Sequence, residues 1–250
     1  MNTDLQLKPK YYASVSGGKD SLFMLKLILE NPTLYPLDGV IHFELEIDYP
    51  FIKDVIDYME TECNKHGIPF YRIKPEKTWL ELYNKNGFPT YCARWCNSNY
   101  KLNARKQFEK FLNDNGCYSV QYVGICADEI NRIKNKKNII YPLVDIGVTE
   151  SSILEWAKNV ALFDDYYKYN TRCGCMFCPM MSIKSMTYLA WKYPRHYRAF
   201  LNMAAKKEKE IENKTGKPFS VFSGNPKYNT AYREKIIAEK YLPKLLDSIK

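Results

Sequence analysis

Apolar and polar positions alternate with two different periods along the first 150 residues. Residues 11–15 form a short run rich in aromatic and β-branched side chains, closed by Ser16-Gly17-Gly18, which predicts a buried strand ending in a tight turn. Leu22, Phe23, Leu25, Leu27, Ile28 and Leu29 then mark residues 20–30 as a strongly apolar helix. A second strand is expected at 39–43 and a second helix at 51–66, where Ile52, Val55, Ile56, Met59 and Cys63 recur at helical spacing before Gly67. Residues 69–73 read as a third strand, 103–115 as a helix stopped by Gly116, and 121–125 as a further strand closing on Ala127-Asp128-Glu129. Strands alternating with helices of this length predict an α/β fold, a parallel twisted sheet with helices on both faces.

The rhythm changes after Tyr141-Pro142-Leu143. Thr149 is a suitable N-cap for a helix over 150–159. Residues 183–192 and 194–214 read as two more helices, with Pro194 at a first-turn position and Gly216 as the stop. Tyr197, Phe200, Leu201, Ala204 and Ile211 form the inward stripe of the second. The expected division is therefore a nucleotide-binding α/β domain over 1–148 and a mainly helical, cysteine-containing basic region over 149–250. No internal repeat or low-complexity stretch interrupts this order.

Composition adds bounds. At 46% hydrophobic and 26% charged residues the chain has the makings of a globular core and is not of the disordered or fibrous kind. No stretch reaches the ~20 apolar residues of a spanning helix, and residues 1–10 lack a signal-type apolar core, so a cytoplasmic protein with no membrane partner is expected. The formal charge of +9 is unevenly placed: residues 183–250 hold 15 basic and 6 acidic side chains, while residues 1–182 are neutral. That basic end interleaves Tyr188, Trp191, Tyr193, Tyr197, Tyr228 and Tyr232 with Lys and Arg, a composition suited to nucleic acid or to a solvated helical surface.

The segment richest in chemistry is Ser14-Val15-Ser16-Gly17-Gly18-Lys19-Asp20-Ser21, at the junction of the first strand and helix. Two glycines let the backbone turn sharply and approach a ligand. The free N–H groups and positive dipole end of the helix face that ligand. Lys19 adds a point charge, and Ser16 and Ser21 add hydroxyl donors. The product is an anion cradle without the spacing of a Walker A loop.

Ser16-Gly17-Gly18-Lys19-Asp20-Ser21 resembles the SGGxDS loop of the PP-loop superfamily, which holds N-type ATP pyrophosphatases, tRNA thiolases and the phosphoadenosine phosphosulfate (PAPS) reductase family, with the fold of the adenine nucleotide alpha hydrolases. The resemblance implies ATP with Mg²⁺, cleaved to an adenylate and pyrophosphate. Lys19, Asp20 and Ser21 would be catalytic, and Ser14, Ser16, Gly17 and Gly18 would join them in binding the nucleotide. Further stretches are similar to the PAPS reductase family. Phe43-Glu44-Leu45-Glu46 through Pro50 follows the second strand, with Glu44 in the place of an Asp at the adenosine pocket. Arg94-Trp95-Cys96 with Lys101, Gly124-Ile125-Cys126-Ala127-Asp128-Glu129 with Arg132, Tyr141-Pro142-Leu143, and Arg172 through Pro179 also fit. By this likeness Gly124, Asp128, Glu129 and Arg132 belong to the nucleotide site. Two features depart from the sulfate-assimilating reductases: no cysteine follows Cys178, and the loop carries the Lys19-Asp20 pair that suits ATP.

Of eight cysteines, Cys63, Cys117 and Cys126 stand alone and read as small buried hydrophobes. Cys92 and Cys96, with Cys175 and Cys178, have the spacing to place four thiolates around one centre, zinc or [4Fe–4S]. The resemblance favours the cluster. Cys173 is a spare ligand or a sulfur carrier, and reduced cysteines without metal are the plain alternative. His42 reads as a core residue, His66 as a helix end and His196 as an exposed turn.

The function expected from all this is ATP-dependent activation of a substrate for sulfur transfer. A sulfur donor or thioredoxin-like protein would be a partner, and nucleic acid a candidate substrate at the basic end. The rivals are a sulfonucleotide reductase and a non-catalytic nucleotide- or nucleic-acid-binding protein.

Overall fold

The computed structural model describes residues 7–133 and 137–249, so the leader reading of residues 1–10 falls largely outside them. β1 (Lys8–Val15) leads through the glycine turn into α1 (Lys19–Glu30), followed by β2 (Gly39–Phe43), α2 (Pro50–Lys65) and β3 (Phe70–Ile73). After α3 (Trp79–Asn86), a π-helical stretch, Cys96–Lys101, continues into α4 (Leu102–Asp114). β4 (Cys117–Val123), β5 (Ile139–Ile140), α5 (Pro142–Asp145), α6 (Glu150–Lys158) and α7 (Tyr166–Tyr169) come next. The described chain finishes with α8 (Ile183–Lys192), α9 (Pro194–Thr215), α10 (Thr230–Ile236) and α11 (Leu242–Ser248). No helix among the described residues is long and apolar enough to cross a membrane.

Two compact units emerge. One comprises the residues up to Leu45 with Pro50–Glu76 and Lys101–Tyr167; the other comprises Glu46–Tyr49, Lys77–Tyr100 and the residues from Lys168 on. This differs from a single cut between 148 and 149. α6 stays with the sheet because its Trp156 packs edge-on against Phe23 of α1, with ring centroids 5.2 Å apart. Chain order alone does not display such packing.

In the first unit five parallel strands are ordered β3-β2-β1-β4-β5. Tyr12 of β1 pairs with Gly39 on one side and Gln121 on the other, which puts β1 at the centre. Four successive residues of β2 are buried, so side chains on both faces are covered, as in a doubly wound sheet. On one face Tyr12 and Ile41 pack with Phe108 and Leu112 of α4. β4 begins earlier than its pattern suggests because two of its polar residues are buried and paired. The Ser119 hydroxyl lies 2.8 and 2.9 Å from the Glu109 carboxylate oxygens, and Gln121 Nε2 donates to Glu109 at 2.7 Å.

The second unit is helical and held by aromatic packing. α3 opens with a capping box, in which the Thr78 side chain accepts from the Glu81 N–H and the Glu81 carboxylate accepts from the Thr78 N–H. Trp79 stacks on Tyr83 at 5.3 Å and meets Trp95 at 5.8 Å and Phe177 at 5.5 Å. Phe200 of α9 is ringed by Phe88, Phe177 and Phe222. The expected inward stripe of α9 holds at Phe200, Leu201 and Ala204, whereas Tyr197 and Ile211 are only half-buried and Glu208 joins the buried set. The Glu208 carboxylate accepts from the N–H groups of Val221 and Thr230, each at 3.0 Å, which is how an acid becomes tolerable there.

Candidate functional site

The strand order reverses at β1: β2 and β3 extend to one side of it, β4 and β5 to the other. A crevice opens at such a point, outside the carboxyl ends of the two strands that part. The turn Ser16-Gly17-Gly18 leaves β1 there. Gly17 has φ +75°, and a Cβ on it would lie 2.7 Å from Ile52 Cγ2, so glycine is demanded twice. Gly18 is the N-cap of α1 and offers no side chain to the helix start. Ser21 Oγ donates to the Gly18 carbonyl at 2.9 Å and accepts from the Ser16 N–H at 3.3 Å, locking the turn. Ser14 sits one step back, in register with Ile41 and Val123.

Lys19 is fully buried, at 0% exposure. A buried ammonium needs a counter-charge. Its Nζ lies 2.6 Å from Asp20 Oδ1 and 3.8 Å from Glu150 Oε1. The Lys19 N–H donates to the Tyr167 hydroxyl at 3.0 Å.

The end of β4 supplies the other wall. A Cβ on Gly124 would lie 2.9 Å from the Asp20 carbonyl carbon and oxygen, so only glycine lets this strand end approach the start of α1. Cys126 donates its thiol proton to Asp20 Oδ1 at 3.6 Å, and its N–H donates to Glu129 Oε2 at 3.3 Å. Arg132 Nη1 donates to Glu129 Oε1 at 2.6 Å. Asp128 accepts from the Glu150 N–H at 2.9 Å. Burial, with Asp20 beside it, pushes the Cys126 thiol up to about 12. It is a neutral donor at physiological pH and no thiolate nucleophile.

The structure thus joins Ser16, Gly17, Gly18, Lys19, Asp20, Ser21, Gly124, Asp128, Glu129 and Arg132 in one network. Glu44 belongs to its margin: its N–H donates to the Ile73 carbonyl at 3.0 Å and its carboxylate lies 3.7 Å from Lys74 Nζ, toward the β3 edge. Three participants were missed by pattern alone. Glu150 follows a legible N-cap, Thr149, whose side chain accepts from the Ser152 N–H, yet nothing local aims Glu150 at Lys19. Cys126 read as a lone hydrophobe. Tyr167 carries no motif signal.

All the candidate metal ligands lie in the second unit. Cys92 is exposed with its sulfur 3.3 Å from Thr90 Oγ1, Cys96 opens the π-helical stretch, Cys175 is buried, and Cys178 is half-buried. Cys173 donates to the Gly174 carbonyl at 3.7 Å. Four thiols are a suitable donor set by chemistry, but among the described residues no three His, Cys, Asp or Glu side chains are gathered as a metal site. On α9, Arg195, Arg198, Asn202, Lys206, Lys209 and Asn213 recur every three or four residues, and all are exposed.

Fold and site together define a doubly wound parallel α/β unit with a glycine turn and a buried lysine at its switch point. No protein-family model matches the chain. An uncharacterized protein of Methanocaldococcus jannaschii is 27% identical over 209 residues, covering 78% of this chain and 48% of the relative, so the chain spans about half of that relative's length. Among solved structures it is similar to a phosphoadenylyl-sulfate (PAPS) reductase from Candida auris in a phosphate complex, with a TM-score of 0.45 and 15% identity over 67% of this chain and 81% of that one. It is also similar to the U34-tRNA thiolase NcsA from Methanococcus maripaludis with its [4Fe-4S] cluster, with a TM-score of 0.42 and 17% identity over 96% of this chain and 76% of that one.

Proposed function

We propose that this chain is a PP-loop enzyme that binds ATP, as its Mg²⁺ complex, in the turn between β1 and α1 and splits it between the α- and β-phosphates. The observation that carries the reading is the buried Lys19 at a glycine turn, at the point where the strand order reverses. An acceptor oxygen attacks the α-phosphorus, the bridging P–O bond breaks, and pyrophosphate leaves with both electrons of that bond. Lys19 and the first amides of α1 neutralise the charge gathering on the leaving group. Asp20, held by Cys126, orients the lysine; Glu129 and Arg132 line the nucleotide side. The adenylated acceptor is then open to sulfur. Cys173, Cys175 and Cys178, within six residues of one another in the sequence, support that role, and no step is routed through a metal.

The exposed basic stripe of α9 supports nucleic acid as the acceptor, since cations spaced along one helix face match a phosphate backbone. The test is pyrophosphate release from ATP in the presence of pooled RNA or DNA. The reading expects release that Lys19→Ala lowers by about 100-fold or more. Reduction of an adenosine phosphosulfate without ATP cleavage would replace it with the reductase reading. Metal analysis of an anaerobic preparation tests the cysteines separately: iron or zinc bound in proportion to the chain would show that the loops close on a metal.

A further inference from the structure

We propose that Tyr167 is a displaceable cap on the anion site: an incoming phosphate takes the Lys19 N–H from the phenol oxygen, and the departure of Tyr167 uncovers the Lys19 ammonium. The proposal rests on the nucleotide reading above and concerns how that site opens.

Three contacts place the phenol over the cradle. Its oxygen accepts from the Lys19 N–H at 3.0 Å. The same oxygen lies 3.5 Å from where a Gly18 Cβ would be. Its ring centroid is 6.0 Å from Lys19 Nζ. Lys19 has no exposed surface and Tyr167 is itself only 2% exposed, so the ring is packed in with the lysine, and its departure is the opening the proposal invokes. The first amides of a helix are what an anion binds, and here a neutral phenol oxygen holds one of them. A phosphate oxygen is the stronger acceptor, so the exchange runs toward the ligand.

The chain leading to Tyr167 is built to hold it under constraint. Asp164 and Asp165 sit consecutively at φ +46° and +60°, a left-handed pair without glycine. Phe163 then packs edge-on to the Tyr167 ring at 4.7 Å, and Tyr166 does so at 5.4 Å. The hydrogen bond from the Lys19 N–H to the phenol oxygen must be given up when the cap leaves, and that bond lowers anion affinity by about three- to tenfold.

The test uses the full chain with inorganic pyrophosphate and with ATP as probes, read by calorimetry. Tyr167→Phe keeps the ring against Phe163 and Tyr166 and removes only the competing oxygen. The proposal expects both affinities to rise by about three- to tenfold, and the amides of residues 16–22 to exchange faster with solvent in the free variant, then slow again with pyrophosphate. An unchanged affinity overturns the cap and leaves the nucleotide reading standing. A lower affinity also overturns it, because Tyr167 would then be a phosphate ligand. Failure of both wild type and variant to bind either probe removes the nucleotide reading and the cap with it. A 3-fluorotyrosine placed at position 167 gives a readout independent of the variant's folding: its fluorine resonance must shift on adding pyrophosphate, and a fixed resonance in a protein that binds the probe overturns the cap.

Discussion

In the sheet unit the most deeply buried charge is Lys19, met by two side chains, Asp20 at 2.6 Å and Glu150 at 3.8 Å. In the helical unit Glu208 is buried and Arg233 half-buried, and both are met largely by backbone. Glu208 is gripped by the Val221 and Thr230 amides, while Arg233 donates to the Met181 carbonyl at 2.9 Å and lies 4.2 Å from the Phe222 ring centroid. Burial holds the Glu208 carboxyl above its ordinary range and the Arg233 guanidinium below its own. The contrast separates two uses of a buried ion. A lysine held by side chains can trade one partner for a phosphate without disturbing the chain path. A carboxylate wired to two backbone amides cannot move without unfolding the loop it holds. The first is the grammar of a binding site, the second of a structural rivet.

The thiols divide along the same line, and they offer the largest expected effect. Burial raises Cys63 and Cys126 of the sheet unit from 9.0 to about 12, which lowers their thiolate fraction at neutral pH by about a thousandfold. Timed alkylation of the native protein, read by mass spectrometry, should therefore label exposed Cys92 long before Cys63 or Cys126, which react on unfolding. Early labelling of Cys126 would mean that the wall beside Asp20 opens readily.

Next comes Glu208→Ala, which strands two buried amides and should cost ~2–4 kcal/mol in denaturant unfolding. A loss below ~0.5 kcal/mol would remove the distinction between rivet and site. Gly124→Ala forces a methyl against the Asp20 backbone and should cost ~1–3 kcal/mol while weakening pyrophosphate binding. Unchanged binding in a destabilised protein would show that the β4 end does not shape the cradle.

The smallest effect is on pH dependence. His42 is buried on β2, its Nδ1 3.1 Å from the Val15 carbonyl, and burial lowers its pKa below 6.5. As pH falls through 6.5 the unfolded chain takes up the proton first, so stability present above that value is lost on acidification. The melting temperature between pH 8 and 5.5 should drop more for wild type than for His42→Gln. Parallel curves would show that His42 stays uncharged in neither state more than the other.

How much of this was legible beforehand follows from where the forces act. The strand at Gly39–Phe43 and the helix at Ile183–Lys192 match their patterns because burial of a continuous apolar run or stripe is written locally. α3 lay unread although Thr78 and Glu81 spell its capping box, and β5 is too short to carry a period. The start of β4 was hidden because the partner of its polar residues, Glu109, comes from another element.

The candidate site divides in the same way. Sequence by itself determined the glycine turn, the lysine and serines at its end, and the positive charge of the last quarter, because sterics of φ > 0, helix-start amides and net charge need only neighbours in the chain. Tertiary structure alone decided that β1 is central, that Gly124 must be small, and that Glu150, Cys126 and Tyr167 converge on Lys19 and Asp20. Those outcomes depend on which surfaces meet across more than a hundred residues of chain. No local period or spacing encodes such a meeting; packing and charge neutralisation select it only when the whole unit closes.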